Sequence, residues 1–346
     1  MNKKQMILPV IAAILFLSGL FLMLFVAPNA PKDPTPTAPA TTAPVTTADP
    51  AAEVLATDPI ETDPTEPPVT EPPLPETVTT STGEMGLTAA MGFVYDTGLE
   101  HMLYMGGDGD EPLCPASLTK LLTAYTVRQF MDPEMVVTVG SEVTWIDPDS
   151  SRAWIAEGYQ LTVEMLIQGM IMPSGNDAAY TLAVAGGRVL AEDPALDRQV
   201  AFNLFIDEMN AQARALGMKN SHFMNPDGID EEGHYTTMND LVILSKAVME
   251  DELIMKYASM AKADVVYASG ETITWHNSNY LLHPEFEDYY TPEAIGLKTG
   301  STEKAGKCLI SVFCKEDGTY LIVGVLGCPE NLDRFSDTLT LYHLYQ

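Results

Sequence analysis

An α/β protein of the α+β kind is expected, with one antiparallel sheet built from both ends of the folded region and a helical insertion between them. Three observations predict it. Strand-like text opens the region in "AAMGFVYDTGLEHMLYMGG". Strand-like text closes it in "AIGLKTG", "CLISVFC" and "TYLIVGVLGC". Between these ends, apolar residues recur at the spacing of helices. Strands at both ends with helices between them call for a single sheet that the two ends share.

Each element has its own signal. Asp96, Thr97 and Gly98 separate two apolar runs and read as the turn of a hairpin. A helix follows from about Ala116, with Leu118, Leu121, Leu122 and Tyr125 in register. Thr162 can cap a helix through "VEMLIQGMIM", with Leu161 and Leu166 as a hydrophobic staple, and Pro173 and Gly175 end it. A second helix, "DAAYTLAVA", is expected to stop at Gly186 and Gly187. A third runs through "QVAFNLFIDEMNAQARAL" to Gly217. The two late apolar runs form a hairpin across Glu316, Asp317 and Gly318, and "RFSDTLTLYHLY" reads as a closing helix.

The 346 residues are not one kind of material. Residues 7–27 carry no charge over 21 positions, enough for a helix to cross a bilayer. Lys3 and Lys4 precede them, so residues 1–6 are expected in the cytoplasm. The competing reading is a cleaved signal peptide, but its apolar region would be long and a cut after Ala30 would face Pro31. Both readings export the chain beyond residue 30. Residues 28–82 hold 14 Pro and 14 Thr and no Phe, Trp or Tyr. Such composition cannot offset its ordering entropy by burial, and its prolines favour a semi-stiff tether. The spacer is therefore drawn over 28–84 and the folded domain over 85–346. A single-pass protein in the cell membrane with its domain outside is expected.

The domain has 38 acidic and 15 basic side chains. Nucleic acid is an unsuitable partner for such a surface, because phosphate binding needs a basic face. The four cysteines include no CxxC pair, which excludes a zinc ribbon, and Cys308, Cys314 and Cys328 fall in apolar runs that suit buried free thiols. A disulfide between two of these is the alternative in an exported protein. The six histidines show no metal-ligand spacing, and His234 reads as structural. Neither metal nor cofactor is expected.

Chemistry enters with "CPASLTKLL", which places Ser117 three residues before Lys120. Residues three apart on a helix are neighbours, so hydroxyl and amine can touch. A lysine followed by Leu121 and Leu122 either points to solvent or sits where its proton comes off. The chain has two other S-x-x-K pairs, Ser259 with Lys262 and Ser301 with Lys304. The former falls in an expected helix without polar company, and the latter begins in the loop after "KTG". Company distinguishes Ser117 and Lys120. Ser174 and Asn176 form the one S-x-N of the sequence, and Lys298, Thr299 and Gly300 the one K-T-G. Taken singly, Ser-Gly-Asn is a good turn and Lys-Thr-Gly an ordinary strand end. All three in this order are a much rarer conjunction.

"PASLTK", "PSGNDAA" and "GLKTG" resemble the three active-site motifs of the penicillin-recognising serine enzymes, and within them the low-molecular-mass serine D-alanyl-D-alanine carboxypeptidases. "FMNPDGID", "HYTTMNDL" and "AGKCLISVF" resemble further stretches of that group, so the likeness runs from about residue 86 to 346. The resemblance implies a β-lactamase/transpeptidase-like fold and removal of the terminal D-alanine from peptidoglycan stem peptides, with β-lactams as covalent inhibitors. It implies Ser117 as nucleophile and Lys120 as its base, the amine kept neutral by burial and by a second cation, Lys298. Ser174 would relay a proton to the leaving amine, and Asn176 would hold the substrate amide and orient Lys120. Lys298 and Thr299, helped by Arg334, would bind the terminal carboxylate. Gly300 would let substrate approach the strand, and the N–H groups of Ser117 and Ser301 would hold the oxyanion.

Two departures stand out. Ser301 occupies a place where the group more often has an aromatic residue or His, which bears on substrate preference. Many relatives also carry an extra β-domain and a C-terminal amphipathic helix; this sequence ends at Gln346 without them, and its N-terminal anchor is expected to replace them. Two rival readings remain. A class A β-lactamase would need a deacylating Glu within E-x-x-L-N, a pattern absent here. A non-catalytic wall-binding or antibiotic-sensing module would not need both Ser117 and Lys120.

Overall fold

The structure is a computed structural model that describes residues 73–346 except 268, 269 and 271. The expected cytoplasmic segment, the anchor and residues 28–72 of the spacer lie outside the described residues. Among the described residues no helix is long and apolar enough to cross a membrane.

The sheet is built from both ends, as expected. β1 (Met91–Asp96) and β2 (His101–Gly106) form the first hairpin, and β7 (Ala294–Thr302), β8 (Gly306–Cys314) and β9 (Tyr320–Cys328) the last three strands. Their order is β2-β1-β9-β8-β7, every pair antiparallel, and Val94 lies opposite Val323 where the ends meet. Consecutive residues of β8 and β9 enter different cores. Ile310 and Ile322 join the larger one beneath the helices, whereas Leu309 and Val323 pack with Phe335 and Leu341 on the other face. Both faces of the inner strands are thus covered, and their sequences read as continuous apolar runs rather than alternating ones.

The insertion contains α1 (Thr119–Phe130), α2 (Val163–Ile171), α3 (Asn176–Leu190), α4 (Arg198–Leu216), α5 (Met238–Met249) and α6 (Glu252–Ala258). The closing helix is α7 (Asp333–Tyr345). The Thr162 hydroxyl accepts from Met165 N at 3.1 Å, the cap read from the sequence, worth about 1 kcal/mol. Gly217 ends α4 in the left-handed conformation at φ 93°.

Several expectations are corrected. α3 does not stop at Gly186 and Gly187 but runs to Leu190. The glycines admit α4: a Cβ on Gly187 would stand 1.8 Å from Ala201 O, and one on Gly186 2.6 Å from the Phe205 ring. A glycine pair that lets two helices touch has the same sequence signature as one that ends a helix. Two small two-stranded sheets were not anticipated: β3 (Val136–Thr138) with β4 (Gln160–Thr162), and β5 (Lys262–Val266) with β6 (Thr272–His276). The domain also begins earlier than residue 85. Val78 N donates to Leu103 O, Met105 N donates to Val78 O, both at 2.9 Å, and the Thr77 hydroxyl donates to Met102 O at 2.6 Å. β2 is otherwise an edge strand with free backbone groups, and a few spacer-like residues suffice to cover them. Finally, Cys308 and Cys328 are buried free thiols, but Cys314 faces solvent.

Candidate active site

Ser117 sits in a 3-10 turn, Ala116–Leu118, that leads into α1. The turn is strained, since Ala116 has φ 49°. Gly228 presses on it: at φ 86°, it has room for no Cβ, which would stand 1.7 Å from Ala116 O. Gly300 of β7 closes the other side, where a Cβ would meet Ala116 Cβ at 3.0 Å and Pro115 O at 3.2 Å. Glycine at position 300 therefore also serves the fit of β7 against the nucleophile segment.

Lys120 lies on the first turn of α1 and is fully buried. Its Nζ donates to Ser117 Oγ at 2.8 Å and to Asp227 O at 2.8 Å. Burial lowers its pKa to about 8, against the nearby Asp227 and Asp177 carboxylates, which favour the charged form. The expected assistance from Lys298 takes another form. Lys298, also fully buried, has its pKa lowered well below the ordinary value by burial and by repulsion from Lys120 and Arg334. Both amines are thus pushed below the ordinary lysine value, in each case chiefly by burial. Its Nζ donates to Thr299 O at 3.1 Å.

Ser174 lies in the turn between α2 and α3, and Asn176 opens α3. Ser174 is buried with φ 62°, and Asn176 N donates to Ser151 O at 2.9 Å. Asn176 Oδ1 is buried and accepts no hydrogen bond. Asn176 therefore does not orient Lys120 here; the carbonyl of Asp227 does. Thr299 shares a 2.5 Å hydrogen bond with the Ser278 hydroxyl. Ser301 is exposed, and its hydroxyl accepts from Lys307 Nζ at 2.7 Å. Arg334 lies behind β7: Nη1 donates to Gly300 O at 3.0 Å, Nη2 bonds Asn331 Oδ1, and buried Nε has no partner. Arg334 thus braces the backbone of the K-T-G strand.

Ser117, Asn176 and Ser301 line one cleft of roughly 490 Å³. Asp227, Asp230, Gly228, Thr302, Ser151 and Glu303 also face it. Lys120 is beneath Ser117, while Thr299, Lys298 and Gly300 lead along β7 toward Ser301. The rival S-x-x-K pairs do not assemble. Ser259 ends α6 whereas Lys262 opens β5, and Ser301 bonds Lys307 rather than Lys304. His234 is buried on Thr119 Oγ1 at 2.9 Å and receives Met224 N, and burial foremost lowers its pKa to about 4; it is a neutral, structural imidazole. Among the described residues no group of three or more His, Cys, Asp or Glu could hold a metal ion.

Three residues of the site escaped the sequence reading. Asp227 offers Lys120 a main-chain carbonyl, which any residue type could offer. Ser278 stands in a loop with no motif. Asp177 did have a signal, an acid inside an otherwise apolar helix start. Its carboxylate accepts Ala153 N at 2.8 Å and Ile155 N at 3.2 Å, fixing the loop beside the Ser174 turn.

Comparisons with known proteins identify the family. The model of the D-alanyl-D-alanine carboxypeptidase family, peptidase S11, matches residues 78–330. D-alanyl-D-alanine carboxypeptidase DacF of Bacillus subtilis is 28% identical over 259 residues, 73% of this chain and 61% of that protein. D-alanyl-D-alanine carboxypeptidase DacC of Escherichia coli is 32% identical over 244 residues, 67% of this chain and 55% of that protein. The chain thus spans little more than half the length of these two relatives. Among solved structures, the Streptomyces K15 DD-transpeptidase superposes with a TM-score of 0.67 at 28% identity, covering 78% of this chain and 98% of that one. Penicillin-binding protein D2 of Listeria monocytogenes, in its ampicillin-bound form, gives a TM-score of 0.60 at 26% identity, covering 75% and 97%.

Proposed function

The chain belongs to the D-alanyl-D-alanine carboxypeptidase family, and from that membership we propose that it is a serine carboxypeptidase removing the terminal D-alanine from peptidoglycan stem pentapeptides. The observation that carries the reading is the buried amine of Lys120 held 2.8 Å from the Ser117 hydroxyl with its pKa near 8. An amine so placed takes the hydroxyl proton as Ser117 Oγ attacks the penultimate carbonyl. The resulting oxyanion is held by the N–H groups of Ser117 and Ser301. Collapse expels D-alanine, whose nitrogen receives a proton through Ser174, and leaves an ester on Ser117. Water then cleaves the ester and regenerates the serine. Asn176, with a free acceptor, takes the substrate amide N–H. Lys298 and Thr299 take the terminal carboxylate, and that anion restores the charge on Lys298 that burial opposes.

β-Lactams carry the same carboxylate beside a strained amide, so the reading includes covalent trapping on Ser117. Incubation with a pentapeptide ending in D-Ala-D-Ala releases one D-alanine per peptide, and a labelled penicillin leaves its adduct on the peptide containing Ser117. Adduct on Ser259 or Ser301 contradicts the assignment. Neither rival reading gains a specific observation from the structure.

The same reading places the domain outside the cell membrane, tethered by residues 7–27. The motivation is the uncharged run behind Lys3 and Lys4. Intact mass and N-terminal sequencing of the membrane-extracted protein are expected to begin near Met1. A start at or beyond residue 27 refutes the tether while leaving export intact.

A further inference from the structure

The chain has three tryptophans, and two of them are used in opposite ways. Trp275 on β6 is 1% exposed. Trp154 is 69% exposed, the most open large apolar side chain among the described residues. Its backbone also lies in the left-handed region, at φ 62°. That conformation is costly for a bulky side chain, and glycine or asparagine would adopt it more cheaply. Folding thus gains neither burial nor an easy backbone from tryptophan at this position.

The segment that carries Trp154 is nevertheless fixed. The buried Asp177 carboxylate accepts Ala153 N at 2.8 Å and Ile155 N at 3.2 Å. Ala153 O accepts Trp275 Nε1 at 2.9 Å and the Tyr267 hydroxyl at 3.3 Å. Ala153 and Ile155 are both buried, so the indole stays out while its two neighbours are held in. The result is a flat apolar ring on a rigid mount, with the Arg152 guanidinium 6.0 Å from its centre.

The mount is continuous with the cleft wall. Ser151, three residues before Trp154, lines the same cleft as Ser117, and its carbonyl accepts Asn176 N at 2.9 Å. The Cα atoms of Ser151 and Trp154 are therefore at most about 11 Å apart. In peptidoglycan the stem peptide is bonded through its N-terminus to a sugar of the glycan strand. The four residues ahead of the scissile bond span about 14 Å when extended. A peptide seated at Ser117 thus carries its sugar into the neighbourhood of Trp154. Chemistry narrows the choice of visitor further. A pyranose with equatorial substituents has an apolar C–H face that lies flat on an indole and a rim of hydroxyls for the polar surroundings. An anionic polymer or lipid surface is a poor match, since among the described residues the cleft beside Trp154 is lined by five carboxylates and no Lys or Arg. A protein partner calls for a contiguous apolar patch, whereas Ser150, Ser151 and Arg152 lead from the cleft to the ring.

We propose that Trp154 is a binding platform for an N-acetylhexosamine ring of the glycan strand that carries the stem peptide. This deepens the carboxypeptidase reading and rests on it. The cleft takes the end of the peptide and Trp154 the sugar at its beginning, so peptide on the glycan is preferred to peptide released from it.

The test compares a free stem pentapeptide with the same pentapeptide on a GlcNAc-MurNAc disaccharide, using the full chain. kcat/KM for the disaccharide pentapeptide is expected to exceed that for the free peptide by about tenfold, chiefly through a lower KM, the scale of one aromatic contact. In Trp154→Ala the ratio falls to about one, and in Trp154→Phe, which keeps a smaller ring, part of it survives. The ratio is taken within each variant, so general damage to the site cancels. Equal kcat/KM for the two substrates in the unaltered protein, or a ratio untouched by Trp154→Ala, overturns the inference alone. A concentration-dependent dimer that Trp154→Ala abolishes, with no preference for the glycan-linked peptide, assigns the ring to a second copy of the chain and also overturns it. D-alanine released from neither substrate overturns the carboxypeptidase reading and the inference together.

Discussion

Lys120→Arg is expected to slow acylation by a labelled penicillin by about a thousandfold, the scale of losing a positioned general base. Arginine preserves charge but does not deprotonate within a protein, so it cannot take the Ser117 proton. Lys262→Arg and Lys304→Arg, which alter the other two S-x-x-K pairs, are expected to leave the rate within about twofold, since both are exposed positions where the charge is kept. The pH profile gives the sign. The folded-state pKa of Lys120 is about 8, below its ordinary 10.5, and the neutral form is the active one. Acylation therefore falls about tenfold per pH unit below that value and levels off above it. Stopped-flow acylation rates from about pH 6 to about pH 10 check this. A rate still climbing at the top of that range means Lys120 titrates as an ordinary lysine, and the mechanism fails.

Gly228→Ala is expected to damage both the fold and the chemistry. The new methyl group would overlap Ala116 O at 1.7 Å, and the residue would keep a φ of 86° that alanine adopts only at a cost. The two terms together amount to about 2–4 kcal/mol. The only relief is movement of Ala116, and Ser117 moves with it, while Asp227 N-terminal to the substitution carries the carbonyl that holds Lys120. Thermal melting should show the loss of stability. Penicillin acylation measured well below the melting temperature should fall at least a hundredfold, because a misplacement of about 1 Å has that effect. A variant that melts lower but acylates normally would show that the wedge stabilises the fold without positioning the serine. Gly217→Ala makes a useful comparison: it imposes similar backbone strain, but no atom lies within 4 Å of its Cβ.

These two predictions mark the boundary of what the sequence reveals. The strands at both ends and most helices were legible because burial imposes a period on residue choice. Ser117, Lys120, Ser174, Asn176 and the K-T-G were legible because their chemistry restricts residue type. What escaped was set by backbone atoms. Asp227 O, the strained φ of Ala116 and Ser174, and the contact of Gly228 with Ala116 leave no side-chain signature. The Gly186–Gly187 pair misled for the same reason, since the use of a missing Cβ depends on what lies opposite. Arg334, expected to help bind the terminal carboxylate, donates to Gly300 O at 3.0 Å, a use of the backbone that the sequence does not reveal.

The meeting of β1 with β9 also sets the order in which this molecule can come into being. Val94 and Val323 are neighbours in the sheet but far apart in the chain, and Thr88 and Ala89 donate to Asp337, some 249 residues away. Contacts of such separation are slow to form, since loop closure must precede any gain from them. A ribosome working from the N-terminus makes the first hairpin well before its partner strand, with the whole insertion between them. Until residues 320–328 emerge, β1 has an open edge and the insertion has no sheet to rest upon. Closure of the sheet therefore has to wait until both segments that build it have been made.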